Sequence, residues 1–224
     1  MLNPNEIAKM LDHSLLRPYF TDNDVRAGCE IALKYNIASV CARPSDMKLV
    51  SALLAGSSVA VSTVIGFPHG SSTTQTKVFE SERAMDDGAT ELDMVLNIGK
   101  LKSGDTAYVE SDIRAVVEAA HARGAIVKVI LENCFLTDDE KRAACGISAA
   151  AGADYVKTST GYGTSGATIK DLELMRGAVP PRVKIKAAGG LRTLDAVLAT
   201  KAAGANRCGV SATESIMQEL KARF

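Results

Sequence analysis

Residues 182–190 read Arg-Val-Lys-Ile-Lys-Ala-Ala-Gly-Gly, and this stretch carries the pattern that decides the fold. Lysine alternates with apolar residues, so Lys184 and Lys186 share one face of a strand while Val183 and Ile185 share the other. The glycine pair that follows predicts a turn with exposed backbone N–H groups before the next helix. A strand that ends in such a turn is typical of an α/β protein.

The alternation of strand and helix recurs along the whole chain. Eight short β-branched or apolar runs are each followed by a segment in which apolar residues have helical spacing. Eight units in 224 residues leave about 28 residues each, which fits a small (β/α)8 TIM barrel. No linker divides the chain, so one domain over residues 1–224 is expected. The strands are predicted at residues 12–15, 37–41, 59–65, 91–96, 126–131, 155–157, 182–186 and 207–209.

A doubly wound open sheet is the alternative fold. It would place a G-x-G-x-x-G turn after the first strand, where this sequence has none. Gly189 and Gly190 follow the seventh predicted strand, and residues 209–211 follow the eighth. Because barrels commonly hold a phosphate at these two loops, the glycines favour the barrel. Capping-box patterns at residues 137–140 and 211–214 predict the starts of two helices.

Composition and charge argue against several classes of function. The chain has 26 basic and 26 acidic residues, so no overall positive field would hold nucleic acid or anionic lipid. An uncharged stretch at residues 51–68 is interrupted by glycines and serines, and no transmembrane helix is predicted. The first residues lack a secretion signal, and the 5 cysteines are far apart and odd in number. We therefore expect reduced thiols and a cytoplasmic location.

Strand parity predicts a group of charged side chains inside the barrel. Apolar side chains should face the surrounding helices, which turns the alternating charged positions inward. Buried charge is costly unless it is paired, so these side chains should neutralise one another. The inward set comprises Glu91, Asp93, Lys128, Glu132, Lys184 and Lys186, and the deeper members Glu91, Lys128 and Lys184 could be purely structural.

The upper members of this group, Asp93, Lys157 and Lys186, should lie where the strands end and substrate enters. Two facing lysines suppress each other's protonation, and lowering a lysine pKa by roughly three units leaves about half of it as free amine at pH 7. A neutral lysine beside a carboxylate is suited to Schiff-base chemistry, with the carboxylate moving protons. The alternatives are a surface position for Lys157 and a purely neutralising role for Asp93.

The glycine turns after the last strands predict a site for an anion. Backbone N–H groups at helix starts bind anions without any net positive charge on the protein. Asp12 is predicted either to hydrogen-bond a substrate hydroxyl or to cap a helix, and His69 could contact substrate from a strand-end loop. No metal-binding motif is present in the sequence, so no metal is expected. The predicted anion-binding residues are Gly161, Gly189, Gly190, Gly209 and Ser211.

Five strings of the sequence resemble the signatures of the 2-deoxyribose-5-phosphate aldolase family. They lie at residues 11–18, 64–70, 91–95, 155–161 and 183–192, and they span nearly the whole chain in order. The resemblance implies a class I aldolase that needs no metal or other cofactor. It also implies cleavage of 2-deoxy-D-ribose 5-phosphate to acetaldehyde and D-glyceraldehyde 3-phosphate, in deoxynucleoside catabolism.

The resemblance also assigns roles to individual residues. It implies that Lys157 forms the Schiff base, that Lys186 lowers the pKa of Lys157, and that Asp93 transfers protons with a water molecule. Asp12 matches a position that contacts the sugar end of the substrate. The phosphate contacts of the family fall on Gly189, Gly190, Gly209 and Ser211, with Arg192 nearby.

Some features depart from the family pattern or lie outside it. Asn133 stands where the family often has threonine, and the chain ends in Phe224 where some relatives use a tyrosine to protonate the enamine.

Alanine-rich helix faces suggest a homodimer or a higher homo-oligomer. Two other functions remain open: a different phosphosugar aldolase or isomerase on the same barrel, and a phosphosugar-binding protein whose lysines only neutralise charge.

Overall fold

The computed structural model describes residues 3–223, in which eight parallel strands close into one barrel. Each strand pairs with the next along the chain, and the eighth pairs with the first. The predicted single-domain (β/α)8 barrel is therefore confirmed. The strands are Leu11–Leu15 (β1), Ser39–Ala42 (β2), Ala60–Ile65 (β3), Glu91–Val95 (β4), Ile126–Ile130 (β5), Tyr155–Lys157 (β6), Lys184–Ala188 (β7) and Arg207–Val210 (β8).

Helices surround the barrel and follow its strands in order. A short helix precedes the first strand, and a second short helix is inserted after the fourth. No helix among residues 3–223 is long and apolar enough to cross a membrane. The helices are Pro4–Ala8 (α1), Asp22–Tyr35 (α2), Met47–Leu54 (α3), Thr74–Asp86 (α4), Ile98–Lys102 (α5), Thr106–His121 (α6), Asp138–Ala150 (α7), Ile169–Ala178 (α8), Leu194–Ala202 (α9) and Thr213–Ala222 (α10).

The two predicted capping boxes have different outcomes. Thr137 caps α7, and its side chain and that of Glu140 bond reciprocally to each other's backbone, as predicted. The prediction at Ser211 is wrong, because β8 continues to Val210 and the N-cap position falls on Ala212, whose side chain makes no capping hydrogen bond. Ser211 is therefore placed before the helix, in the loop that follows β8.

Strand β7 begins and ends two residues later than predicted. Ala187 and Ala188 belong to it because they pair in register with Cys208 and Gly209 of β8. The shift places Lys184 at the base of the barrel, where its side chain is exposed and its Nζ lies 5.6 Å from the centre of the Tyr155 ring. The prediction that Lys184 belongs to the enclosed charge network is therefore wrong.

Candidate active site

Three strands bring a carboxylate and two lysines together inside the barrel. Asp93 lies on β4, Lys157 at the end of β6 and Lys186 in the middle of β7. The Nζ atoms of Lys157 and Lys186 both lie 2.7 Å from Oδ2 of Asp93. All three side chains are buried. The structure thus brings together the three residues that the sequence predicts for catalysis.

The sheet register fixes this arrangement. Lys157 and Lys186 are direct partners across β6 and β7. Their strand neighbours Val156 and Ile185 are buried in the apolar core, as the alternation predicts. The two strand ends are held together by Thr158, whose hydroxyl donates to the carbonyl of Ala188 and accepts from its N–H, each at 3.0 Å.

The environments of the two lysines are not equivalent. Burial lowers the pKa of Lys157 and the Lys186 cation lowers it further, which outweighs the opposing effect of Asp93. Burial also acts on Lys186, but the carboxylates of Asp12 and Asp93 raise its pKa above the ordinary value. The pKa of Asp93 lies well below its usual value, because three lysines outweigh its burial. Lys157 is therefore the side chain that most readily becomes a free amine.

Asp12 lies within β1 and is fully buried. Its Oδ2 is 2.6 Å from Nζ of Lys186, and its Oδ1 accepts a hydrogen bond from Nε of Arg207 at 2.7 Å. Because it sits in a strand, the helix-capping alternative is wrong. Asp12 does not line the adjoining cavity, and the residue of β1 that does is Ser14, two positions later. In this structure Asp12 thus orients Lys186.

A cavity of about 310 Å³ lies at the carboxyl ends of the strands, and Lys157 is part of its lining. Its wall contains six other residues predicted for substrate or phosphate binding. Asp93, Lys186 and Asp12, which complete the predicted set, contact one another or Lys157. The six predicted lining residues are Gly161, Gly189, Gly190, Arg192, Gly209 and Ser211.

One end of this cavity is suited to an anion. Gly189 and Gly190 have φ angles of 89° and 83°, a left-handed conformation that favours glycine. A Cβ on Gly189 would lie 2.8 Å from the Cα of Gly166. The loops after β6 and β7 can therefore come this close to each other only because both positions are glycine. Arg17 and Arg192 also line the cavity. Backbone amides and two guanidinium groups are the donors that phosphate recognition uses.

A family model described as DeoC/LacD family aldolase matches residues 7–219 of this chain. The chain belongs to the DeoC/LacD aldolase family. The family expected from the sequence is thereby confirmed, and the protein is an enzyme of the aldolase class, a carbon–carbon lyase.

Individual relatives agree with this assignment. The deoxyribose-phosphate aldolase of Thermococcus gammatolerans is 50% identical over 215 residues, which cover 95% of this chain and 96% of that protein. The enzyme of the same name from Bacillus cytotoxicus is 53% identical over 211 residues, 94% of each chain. A tetrameric deoxyribose phosphate aldolase from Aeropyrum pernix superposes with a TM-score of 0.91 at 31% identity, over 99% of this chain and 94% of that one.

Three residues of this aldolase's site region are not predicted from the sequence. Arg17 and Tyr162 line the cavity; the Tyr162 hydroxyl donates to the Leu16 carbonyl at 2.7 Å, and the Arg17 guanidinium lies 5.8 Å from the Tyr162 ring centre. Both residues lie in loops, where the sequence has no periodic pattern that indicates which way a side chain points. Arg207 contacts Asp12 and Glu91 inside the barrel. Arg207 and Gly209 lie two positions apart on β8 and so share a face, and this alternation would have predicted that the Arg207 side chain points into the barrel.

His69 and Glu132 lie at a second cavity of about 290 Å³, together with Phe135 and Thr160. Glu132 is buried and accepts hydrogen bonds from the backbone N–H of Thr160, at 3.2 Å to one oxygen. His69 is thus placed beside the main cavity and apart from Lys157.

Within residues 3–223, no three His, Cys, Asp or Glu side chains are grouped to hold a metal ion. Phe224, the subject of the terminal-tyrosine comparison, lies outside the described residues.

Proposed function

We propose that this aldolase reversibly cleaves 2-deoxy-D-ribose 5-phosphate to acetaldehyde and D-glyceraldehyde 3-phosphate through an imine on Lys157. One observation carries the proposal: a buried lysine with a lowered pKa lines the cavity and contacts a carboxylate shared with a second lysine. A free amine in such a setting is a nucleophile for carbonyl carbon. The names and similarity of the relatives support the choice of substrate.

The proposed reaction begins on the open-chain sugar. The Lys157 amine attacks carbonyl carbon C1, and loss of water leaves a protonated imine. Removal of the proton from the C3 hydroxyl breaks the C2–C3 bond, which releases D-glyceraldehyde 3-phosphate and leaves the electron pair in an enamine on C2. Protonation of C2 and addition of water then release acetaldehyde and restore the amine.

Proton transfer in this scheme falls to Asp93, directly or through water. Its Oδ2 is 2.7 Å from Nζ of Lys157, within the range that proton transfer requires. Lys186 keeps its charge, because Asp12 and Asp93 raise its pKa, and it therefore disfavours a second cation on Lys157. This division of roles supports Lys157 over Lys186 as the nucleophile.

The substrate phosphate is assigned to the end of the cavity formed by the loops after β7 and β8. Gly189, Gly190, Gly209 and Ser211 would supply backbone or hydroxyl donors, with Gly161 and Arg192 beside them. This placement sets the phosphate against polar donors and the carbonyl carbon against Lys157. Arg17 adds a second guanidinium that can neutralise the dianion.

The experiment that tests this function measures release of D-glyceraldehyde 3-phosphate from 2-deoxyribose 5-phosphate by wild type and by Lys157→Ala. We expect turnover in wild type and a loss of roughly 10³-fold or more in the variant. Lys48→Ala is the matched control, because that lysine is 84% exposed. Near-native activity of a folded Lys157→Ala protein would contradict the proposal, and activity with ribose 5-phosphate or fructose phosphates alone would favour the other sugar-phosphate enzymes.

Three further expectations accompany this function. We propose a homodimer or higher homo-oligomer, a role in deoxynucleoside catabolism in the cytoplasm, and activity without a metal or other cofactor. The relative from Aeropyrum pernix is tetrameric, which supports self-association. Light scattering of the purified protein would measure its mass in solution, and activity that survives dialysis against EDTA is expected.

A further inference from the structure

The charged side chains inside the barrel form a closed ring in which acids and bases alternate. Asp93 contacts Lys186, Lys186 contacts Asp12, and Asp12 contacts Arg207. From there the ring returns through Glu91. Nη2 of Arg207 lies 2.9 Å from Oε2 of Glu91, and Nζ of Lys128 lies 2.6 Å from the same oxygen.

Lys128 closes the ring, with its Nζ 2.8 Å from Oδ1 of Asp93. The ring holds three carboxylates and three cations, so its formal charge is zero. Lys157 is attached to the ring only at Asp93, 2.7 Å away, and would be a fourth cation. A proton on Lys157 therefore leaves the buried cluster with an excess positive charge, whereas a neutral amine keeps it balanced.

We propose that Glu91 and Arg207 are positioning residues that set the protonation state of Lys157 by balancing the charge of this ring. Glu91 and Arg207 are the first residues of β4 and β8, and neither lines the cavity at the carboxyl ends of the strands. Within residues 3–223, their side-chain hydrogen bonds and ion pairs are with ring members and not with Lys157. The inference rests on the proposed imine function and adds two residues that control it.

Their influence on Lys157 is electrostatic. At an effective dielectric constant of about 20, a unit charge on the order of 10 Å away shifts a pKa by roughly one unit. Removing the Arg207 cation leaves the ring with an excess negative charge, so Lys157 should hold its proton to higher pH. Removing the Glu91 carboxylate leaves an excess positive charge, so Lys157 should lose its proton at lower pH.

Neither substitution removes any of the other charged or titratable groups around Lys157. Asp93 and Lys186 contact it or share its partner, and Lys128 and Asp12 complete the ring. Cys41 faces Lys157 from β2; burial raises the pKa of this thiol and keeps it neutral. Arg17 and Arg192 line the cavity from the β1 and β7 loops, and Glu132 approaches the β6 loop at Thr160.

The test measures the rate at which borohydride traps the acetaldehyde imine as a function of pH. Three variants are compared with wild type: Arg207→Gln, Glu91→Gln and the double variant. The trapping rate should fall at acid pH as Lys157 gains its proton, and the midpoint of this fall is the quantity compared. We expect the midpoint to rise by roughly one pH unit in Arg207→Gln and to fall by a similar amount in Glu91→Gln. The double variant restores a neutral ring and should return the midpoint to within roughly 0.3 units of wild type.

A structural defect would not produce opposite shifts that cancel, so this pattern separates charge balance from damage to the fold. Arg207→Lys keeps the cation and should keep the wild-type midpoint. If Arg207→Gln fails to fold, the shift in Glu91→Gln and its reversal in the double variant decide the question. Midpoints that do not move, or that move in the same direction in both single variants, overturn the inference. Absence of any imine in wild type would instead overturn the proposed function.

Discussion

Lys157 and Lys186 are register partners on adjacent strands, yet their surroundings drive their pKa values in opposite directions. Both Nζ atoms lie 2.7 Å from one oxygen of Asp93. The difference comes from Asp12, whose Oδ2 is 2.6 Å from Lys186. Lys186 therefore has two carboxylate partners and holds its proton, while Lys157 has one partner and a neighbouring cation. This asymmetry supports the proposal that Lys157 is the nucleophile.

Replacing Lys186 should expose its effect on Lys157. Lys186→Met removes a cation beside Asp93, so the pKa of Lys157 should rise and less of it should be free amine at neutral pH. We expect kcat/KM at pH 7 to fall about 100-fold and the acid limb of the pH profile to move to higher pH. Lys186→Arg keeps the charge and is the control. An unchanged pH profile in Lys186→Met would contradict this role.

The two arginines of the cavity should act on the phosphate alone. A hydrogen bond to a charged group contributes about 1.5–3 kcal/mol, so Arg17→Ala and Arg192→Ala should each raise KM for 2-deoxyribose 5-phosphate at least tenfold. Turnover of unphosphorylated 2-deoxyribose should change less than twofold. Arg142→Ala, on an exposed side chain, serves as control. Equal losses on both substrates would show that these side chains do not bind the phosphate.

Asp12 should make the stability of the fold depend on pH. Burial raises the pKa of Asp12, but Lys186 and Arg207 outweigh it, so the folded-state pKa lies below the unfolded value of about 3.9. Its contribution is therefore fully present above that value and is lost as the pH falls below it. Asp12→Asn should lower Tm by roughly 10 °C near pH 6, and this difference in Tm between wild type and variant should narrow below about pH 4. A gap that is constant from pH 3 to pH 7 would contradict this account.

Lys77, a buried lysine outside the charged ring, should matter for stability and not for catalysis. Nζ of Lys77 on α4 lies 2.5 Å from Asp112 on α6 and 3.0 Å from the Val95 carbonyl. Lys77→Met leaves the Asp112 carboxylate buried without its cation, which should cost about 3–5 kcal/mol in urea unfolding. Adding Asp112→Leu should recover most of that loss. The kcat of folded Lys77→Met should stay within about twofold of wild type; a larger loss would place Lys77 in the catalytic network.

The barrel and the core of its site follow from local regularities in the sequence. Alternation along a strand has a period of two, so the inward direction of Asp93, Lys128 and Lys186 could be predicted once the apolar neighbours were assigned to the helix side. The glycine pair at residues 189–190 indicated its turn, because only glycine adopts that backbone conformation at low cost.

Other parts of the site depend on contacts that the sequence does not encode locally. Arg17 and Tyr162 stand in the loops after β1 and β6, far apart in the sequence, and meet only when the barrel closes. The end of β7 is not evident from the sequence because alanines have low strand propensity, while pairing with β8 decides the conformation of Ala187 and Ala188. Arg207, at the start of a short strand, is not predicted from the sequence, and its side chain completes the balance of charge inside the barrel.

The most direct test of the account is to locate the imine. The wild-type protein is incubated with acetaldehyde and reduced with borohydride, and the product is analysed by intact mass and peptide mapping. We expect one added ethyl group, on Lys157, and none in Lys157→Ala. An ethyl group on Lys186 would reverse the assignment of the two lysines, and a folded protein with no selective adduct would contradict the Schiff-base mechanism.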